Sequence, residues 1–548
     1  MGGSEVSPAF ISRQIFLVDQ EAIPSVDRRD FFKAAAGGVV TVLSASVLPP
    51  LSARAADSDI VDVTLTSRPY RFSPAPNLEF SGLAFNGCIP GPLLRVRYGQ
   101  RFRARYVNQS GSDSTIHWHG MILPNDMDGV PNVTQKPVPN GGMFIYEYKP
   151  DPPGFRWYHS HVTPQLTQGL FGPFIVEDPR DERADVEAVL VLHDVPIMKT
   201  YYEAVKGLST APMIAPLGAP ELAGMNMNMS MPGHAKSGDM SGMSGMNGMG
   251  GAQGMSGKSP MSGAMHQSMG AMGDGVAYMA YCINGTTYPR TQAIAVKVGQ
   301  LVRLRILNAS PTLTHYVGLG GHRLRVTHSD GNPMPHPVEV DMLRLGVAER
   351  YDAWFIVTKP GAWLLESISD DPKAIGQSLL IHTPGMEHAK PVRPPQTLHG
   401  VEYFTYRLAG NAGPESHPLV PGTINVESNL LLGEGVRDKW KWTINGQTWP
   451  NTPKIQVRSG DRVLVRFRNP TNMEHPMHLH GHLFHLVEIN GQSLRDPLPK
   501  DTAIVPGNGG SAAWFFKATS PPGRWVLHCH NAVHNADGMM CEVDYVGA

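Results

Sequence analysis

The chain has 548 residues, enough for about three domains. Its 46 Lys and Arg against 47 Asp and Glu leave a net charge of −1, which gives no sign of a nucleic-acid partner and excludes a strongly basic chain. The 58 glycines and 48 prolines suit a β-rich, loop-rich globular chain.

Residues 1–56 read as a leader. Arg28-Arg29-Asp30-Phe31-Phe32-Lys33 runs into an apolar stretch from Ala34 to Leu51, and Ala53-Arg54-Ala55 fits a small-residue cleavage site. Paired arginines before Phe and Lys point to twin-arginine export, hence a periplasmic or otherwise exported protein. Gly37, Gly38, Pro49 and Pro50 break the apolar stretch, which is short for a spanning helix. An uncleaved anchor is therefore the poorer reading, and no membrane span is expected in the mature form.

A repeat follows. Asn86-Gly87, Pro90, Gly99 and Asn108 recur as Asn284-Gly285, Pro289, Gly299 and Asn308, then as Asn445-Gly446, Pro450, Gly460 and Asn469. The residues between the last Gly and the Asn alternate with period two, basic side chains outward and Val, Leu or Phe inward. That is the pattern of half-buried antiparallel strands. Three copies predict an all-β protein of three related β-sandwich domains over 57–180, 181–390 and 391–548.

Within the second domain, before Asn284, residues 225–272 carry 13 of the chain's 27 methionines among Gly, Ser, Asn and Ala. The stretch has no hydrophobic periodicity and predicts a disordered insert. A linker without a task is one reading. The other is thioether binding of a soft ion such as Cu(I), beginning with Met225, Met227, Met229 and Met231.

Four histidine clusters frame the chain: His117-Trp118-His119-Gly120, His159-Ser160-His161, His475-Pro476-Met477-His478-Leu479-His480, and His528-Cys529-His530 with His534 and Met539. One His-x-His is weak evidence, because alternating histidines often mark a solvated strand face. The last cluster is more specific. A thiolate, imidazoles and a thioether suit copper in a trigonal His2Cys site with a weak axial Met. Zinc closes on four ligands and fits this surplus poorly. Residues i and i+2 of a strand share a face, so Cys529 can serve one site while His528 and His530 serve another. No such pair flanks His315, so the middle domain is expected to hold no copper and to act as a spacer. Of the four cysteines, Cys88 and Cys282 are open to either pairing or burial as thiols, and Cys541 reads as a strand residue.

These clusters resemble those of the multicopper oxidases, the family of laccases, ascorbate oxidases and bacterial cuprous oxidases, over residues 60–546. The resemblance implies cupredoxin-like Greek-key sandwiches and four copper ions that couple oxidation of a reducing substrate to reduction of O2. It implies His475, Cys529, His534 and Met539 as type 1 ligands, with electrons entering through an exposed histidine. His117 and His478 would be type 2 ligands. His119, His159 and His530 would hold one type 3 copper, and His161, His480 and His528 the other. Asp128 matches the family's acid near the cluster and is the first choice for proton transfer. Asn535 stands where several relatives have an acid, which leaves Asp537 as a second proton carrier or a loop residue. Met473 stands where some cuprous oxidases place a thioether for substrate Cu(I). Thr471 replaces an acid of that site, and Glu474 is either its substitute or a rim residue. Cu(I) is the leading substrate, with phenols, aromatic amines or Fe(II) as competitors, and a monomer is expected.

Overall fold

The computed structural model describes residues 59–206, 275–369, 376–413, 423–436 and 439–547. The leader, its arginine pair and the methionines at 225, 227, 229 and 231 lie outside them. Among the described residues, strands dominate and assemble into three pairs of sheets. Among these described residues, no helix is long and apolar enough to cross a membrane.

The first pair has four strands in each sheet. Ile60–Phe72 and Arg101–Asn108 are the inner strands of one, and His117–His119 lies at the edge of the other, beside Gly154–His159. The middle and third pairs each combine a six-stranded and a five-stranded sheet. Within them, Leu301–Asn308 and Arg462–Asn469 occupy the same place that Arg101–Asn108 occupies in the first pair.

The repeated Asn-Gly pairs are tight hairpin turns. Asn86, Asn284 and Asn445 all have φ of 51°, followed by glycines at 74°, 90° and 73°. Positive φ at two successive positions is the reason for Asn-Gly. Each Asn also bonds the strand beside it. Asn284 accepts from Val191 N at 2.8 Å and donates to Val189 O at 2.9 Å, and the other two repeat this pattern. The second asparagine of each repeat is fully buried. Asn308 donates to Leu313 O and Leu345 O, and Asn469 to Met473 O and Val505 O. These amides tie one sheet to the loop and strand of its partner, where an unpaired carbonyl would cost about 1–3 kcal/mol.

One expectation fails in the middle domain. Arg303 and Arg305 should face solvent, yet they are 3% and 4% exposed. Asp352 holds both, and Asp181 and Glu187 from the segment entering this domain cover them. The alternation survives, but its polar face is roofed by ion pairs. Residues just after 390 also run along the middle domain, where Leu364 N donates to Val392 O and Asp341 N to Glu402 O. Cys88 and Cys282 are free thiols, half-buried and buried, and Cys541 is a buried strand residue.

Candidate metal centre

The end of the chain wraps three side chains around one point. The strand Arg524–Cys529 ends, and Asn531 caps the helix Ala532–Asp537 by accepting from Val533 N and His534 N. Gly538, left-handed at φ 102°, stops the helix and returns the chain at Met539. Cys529 N then donates to Met539 O at 3.0 Å. The strand His475–Leu479 lies alongside, with Met477 paired to Cys529 and His478 to His528.

This puts Cys529 Sγ 3.3 Å from His534 Nδ1 and 3.8 Å from His475 Nδ1, with the two nitrogens 3.0 Å apart. His475 Nε2 meets Thr471 Oγ1 at 3.1 Å, which leaves Nδ1 facing the sulfur. Thr471 thus orients a histidine. Met539 is fully buried beside them.

Eight other histidines converge where the first and third pairs of sheets meet, and their ring nitrogens sort into outward and inward sets. His117 Nδ1 donates to Asp128 O at 2.9 Å, His159 Nδ1 to Ser160 O at 3.0 Å and His478 Nδ1 to Asp501 O at 2.7 Å. His480 Nδ1 donates to Asp128 Oδ2 and His528 Nδ1 to Cys529 O, both at 2.9 Å. Each bond leaves an Nε2 lone pair pointing inward. The Nε2 atoms of His117 and His478 are 3.4 Å apart, those of His159 and His530 3.4 Å, and those of His480 and His528 3.2 Å. His119 is reversed. Its Nε2 faces Asp501 Oδ1 at 3.1 Å and Thr502 Oγ1 at 3.0 Å, while its buried Nδ1 has no hydrogen-bond partner.

Burial holds His119, His159, His161, His475, His478, His480 and His530 well below the usual imidazole pKa, and His528 down to about 4. Neutral rings with lone pairs turned on one another repel unless a cation lies between them. The donors fall into four suitable groups: His475, Cys529 and His534; His117, His119 and His478; His119, His159 and His530; and His161, His480 and His528. A fifth group, His117, Asp128 and His480, uses the outward nitrogens and marks Asp128 as a supporting residue. Imidazole and thiolate donors in these numbers fit copper.

The other candidates are distributed around these groups. Asp128 is fully buried. Asp537 is 5% exposed and accepts from Lys441 Nζ at 2.7 Å, so it is not a surface loop residue. Asn535 lines a cleft of about 30 Å³, room for about two waters, that reaches His161, His528 and His530 past Thr167 and Tyr201. Met473 is buried in the core. Glu474 is no free rim residue, because Thr314 and Arg344 of the middle domain both bind it.

The expected exposed histidine is absent. His475 and His534 are both fully buried, and the Trp442 ring lies 4.0 Å from His534 and 5.2 Å from His475, centroid to centroid. Sequence reasoning missed Trp442, Asp501 and Arg350. Trp442 lies three residues before Asn445 of the third turn, and Asp501 twenty-one after His480. Neither spacing signals a contact.

A three-sandwich fold with a His2Cys group beside a histidine cluster defines a copper protein of the cupredoxin class. Multicopper oxidase family models match residues 69–181, 256–374 and 423–546. The chain is 32% identical to the multicopper oxidase MmcO of Mycobacterium tuberculosis, over 93% of this chain and 91% of that protein. It is 26% identical to a copper resistance protein A homolog of Pseudomonas syringae pv. tomato, over 84% and 89%. The laccase of Botrytis aclada shares the fold, with a TM-score of 0.64, 21% identity and coverage of 89% and 87%. The chain belongs to the multicopper oxidase family. Members bind four coppers and use oxygen as acceptor, and this chain is an oxidoreductase of that kind.

Proposed function

We propose that this oxidase takes its electrons from Cu(I) and serves copper tolerance outside the cytoplasm, exported through its Arg28-Arg29 leader. His475, Cys529, His534 and Met539 hold the type 1 copper, and His117 and His478 the type 2 copper. His119, His159 and His530 hold one type 3 ion, and His161, His480 and His528 the other. The inward set of buried nitrogens carries this assignment, because no other occupant explains so many facing lone pairs. When bound, the four coppers remove electrons singly from the donor and deliver four to O2, giving two waters.

The chain supplies path, orientation and protons. Cys529 faces the first group while its covalent neighbours His528 and His530 face the cluster, so two short covalent paths join them. Asp128 fixes His117 and His480 and is the proton carrier nearest the cluster. Asp537, engaged by Lys441, is the weaker carrier.

The sealed type 1 donors favour Cu(I). Trp442 leaves no histidine edge for a bulky phenol to touch, which suits a small donor. Met539 would add a weak thioether donor to that copper, and such a donor would favour a lower potential and easily oxidised donors. The methionines of 225–272 are soft donors that can collect Cu(I), and Met225, Met227, Met229, Met231 and the buried Met473 are candidates for substrate copper. Oxygen uptake with Cu(I) and with a phenol, before and after deletion of 225–272, tests this. Selective loss of Cu(I) turnover is expected. Unchanged Cu(I) turnover with brisk phenol oxidation would refute it.

A further inference from the structure

The middle domain supplies no donor to any of the four groups, yet one of its side chains reaches the cluster through a single intermediary. Arg350 is fully buried. Its Nη1 and Nη2 grip Asp501 Oδ1 and Oδ2 at 2.7 and 2.6 Å, a bidentate fork. The same guanidinium donates to Ala348 O and Asp330 O of its own domain and to Phe155 O of the first. It therefore touches all three sandwiches at once.

Asp501 is where this fork meets the cluster. Its Oδ1 lies 3.1 Å from His119 Nε2, and Thr502 Oγ1 bridges the two at 3.0 Å to each. The backbone allows the approach because residue 120 is glycine. A Cβ there would lie 2.4 Å from Asp501 Oδ2 and 2.7 Å from Arg350 Nη2. His119 is also the one ring whose outward bond is made by Nε2 and whose partnerless Nδ1 faces in.

We propose that Arg350 is a positioning residue for the three-copper cluster. By locking both oxygens of Asp501, it holds His119 in the reversed orientation that presents Nδ1 to copper. The inference rests on the reading of His119 as a copper ligand. It makes the middle domain a working part of the cluster, where the sequence suggested a spacer.

The test is copper retention in Arg350→Met, followed by chelator competition on the purified, copper-loaded protein. The type 2 paramagnetic signal and type 3 absorption are read separately from the blue type 1 absorption. Outer partners of metal ligands typically contribute roughly 10- to 100-fold in metal affinity. Cluster copper should therefore yield to chelator at a concentration lower by roughly that factor, with the type 1 absorption unchanged. Arg350→Lys, which keeps charge but not the planar fork, should fall between the two. If Arg350→Met does not fold because Asp501 loses its bidentate partner and keeps only Arg156, 3.6 Å away, Arg350→Met/Asp501→Asn removes both charges and faces the same criteria. Wild-type cluster retention, or parallel loss of type 1 and cluster copper, would overturn the proposal. A wild-type chain that takes up only the type 1 ion would instead overturn the ligand assignment beneath it.

Discussion

His315 begins a strand of the middle sandwich as His475 begins the matching strand of the third, and their surroundings differ. The two sandwiches share one strand order through both sheets. Val317 pairs with Ser367 where Met477 pairs with Cys529, so Ser367 holds the cysteine's register. In the middle domain Ser367 Oγ lies 2.8 Å from His315 Nδ1, and Asp194 Oδ2 lies 3.0 Å from Nε2. Both ring nitrogens are occupied and the polar group is satisfied. In the third domain Thr471 takes Nε2 only, and Nδ1 faces a sulfur and a second imidazole. The shared topology places a histidine, and a few neighbouring side chains decide whether it is a core polar group or a metal donor.

The largest test of this contrast gives the third domain the middle domain's chemistry. Cys529→Ser should abolish the blue absorption and the turnover of every donor, because a hydroxyl cannot replace the soft thiolate. Retained oxidase activity would sink the assignment. Next comes the covering ring. Tyr281 holds the register in the middle domain that Trp442 holds in the third, paired with Asp194 and Glu434 respectively. Trp442→Ala should cost about 3–5 kcal/mol of stability. It should also raise kcat/KM for phenols relative to Cu(I) by uncovering His534, and an unchanged ratio would show that Trp442 does not control access.

The remaining test is pH. Burial holds His528 and His482 at about 4, against an ordinary 6.5. Above pH 6.5 the rings are neutral in both folded and unfolded chains, and full stability is present. Between 6.5 and about 4 only the unfolded chain takes up protons, so stability falls as pH falls, by about 1.4 kcal/mol per unit for each ring. The melting temperature of copper-free protein should drop across that window, and a flat profile would contradict the buried neutral state.

Features carried by short-range patterns were legible in the sequence. The Asn-Gly turns and the Gly-to-Asn strands announced three sandwiches, because a positive-φ turn and a period-two strand are local demands. The structure brings His119 together with His159 and His530, and His161 with His480 and His528. What the sequence hid depends on distant partners. Arg303 and Arg305 alternate like solvent-facing residues, and only the folded chain brings Asp181 and Glu187 over them. The reversal of His119 depends on Asp501, 382 residues away, and the burial of His534 on a tryptophan of another strand.

Diffraction at the copper absorption edge from copper-loaded crystals tests the central claim most directly. Four anomalous peaks are expected. One should lie among His475, Cys529 and His534, the other three among the eight histidines between the first and third domains, and none at His315. A peak at His315, or an empty histidine cluster beside an occupied type 1 group, would contradict the account.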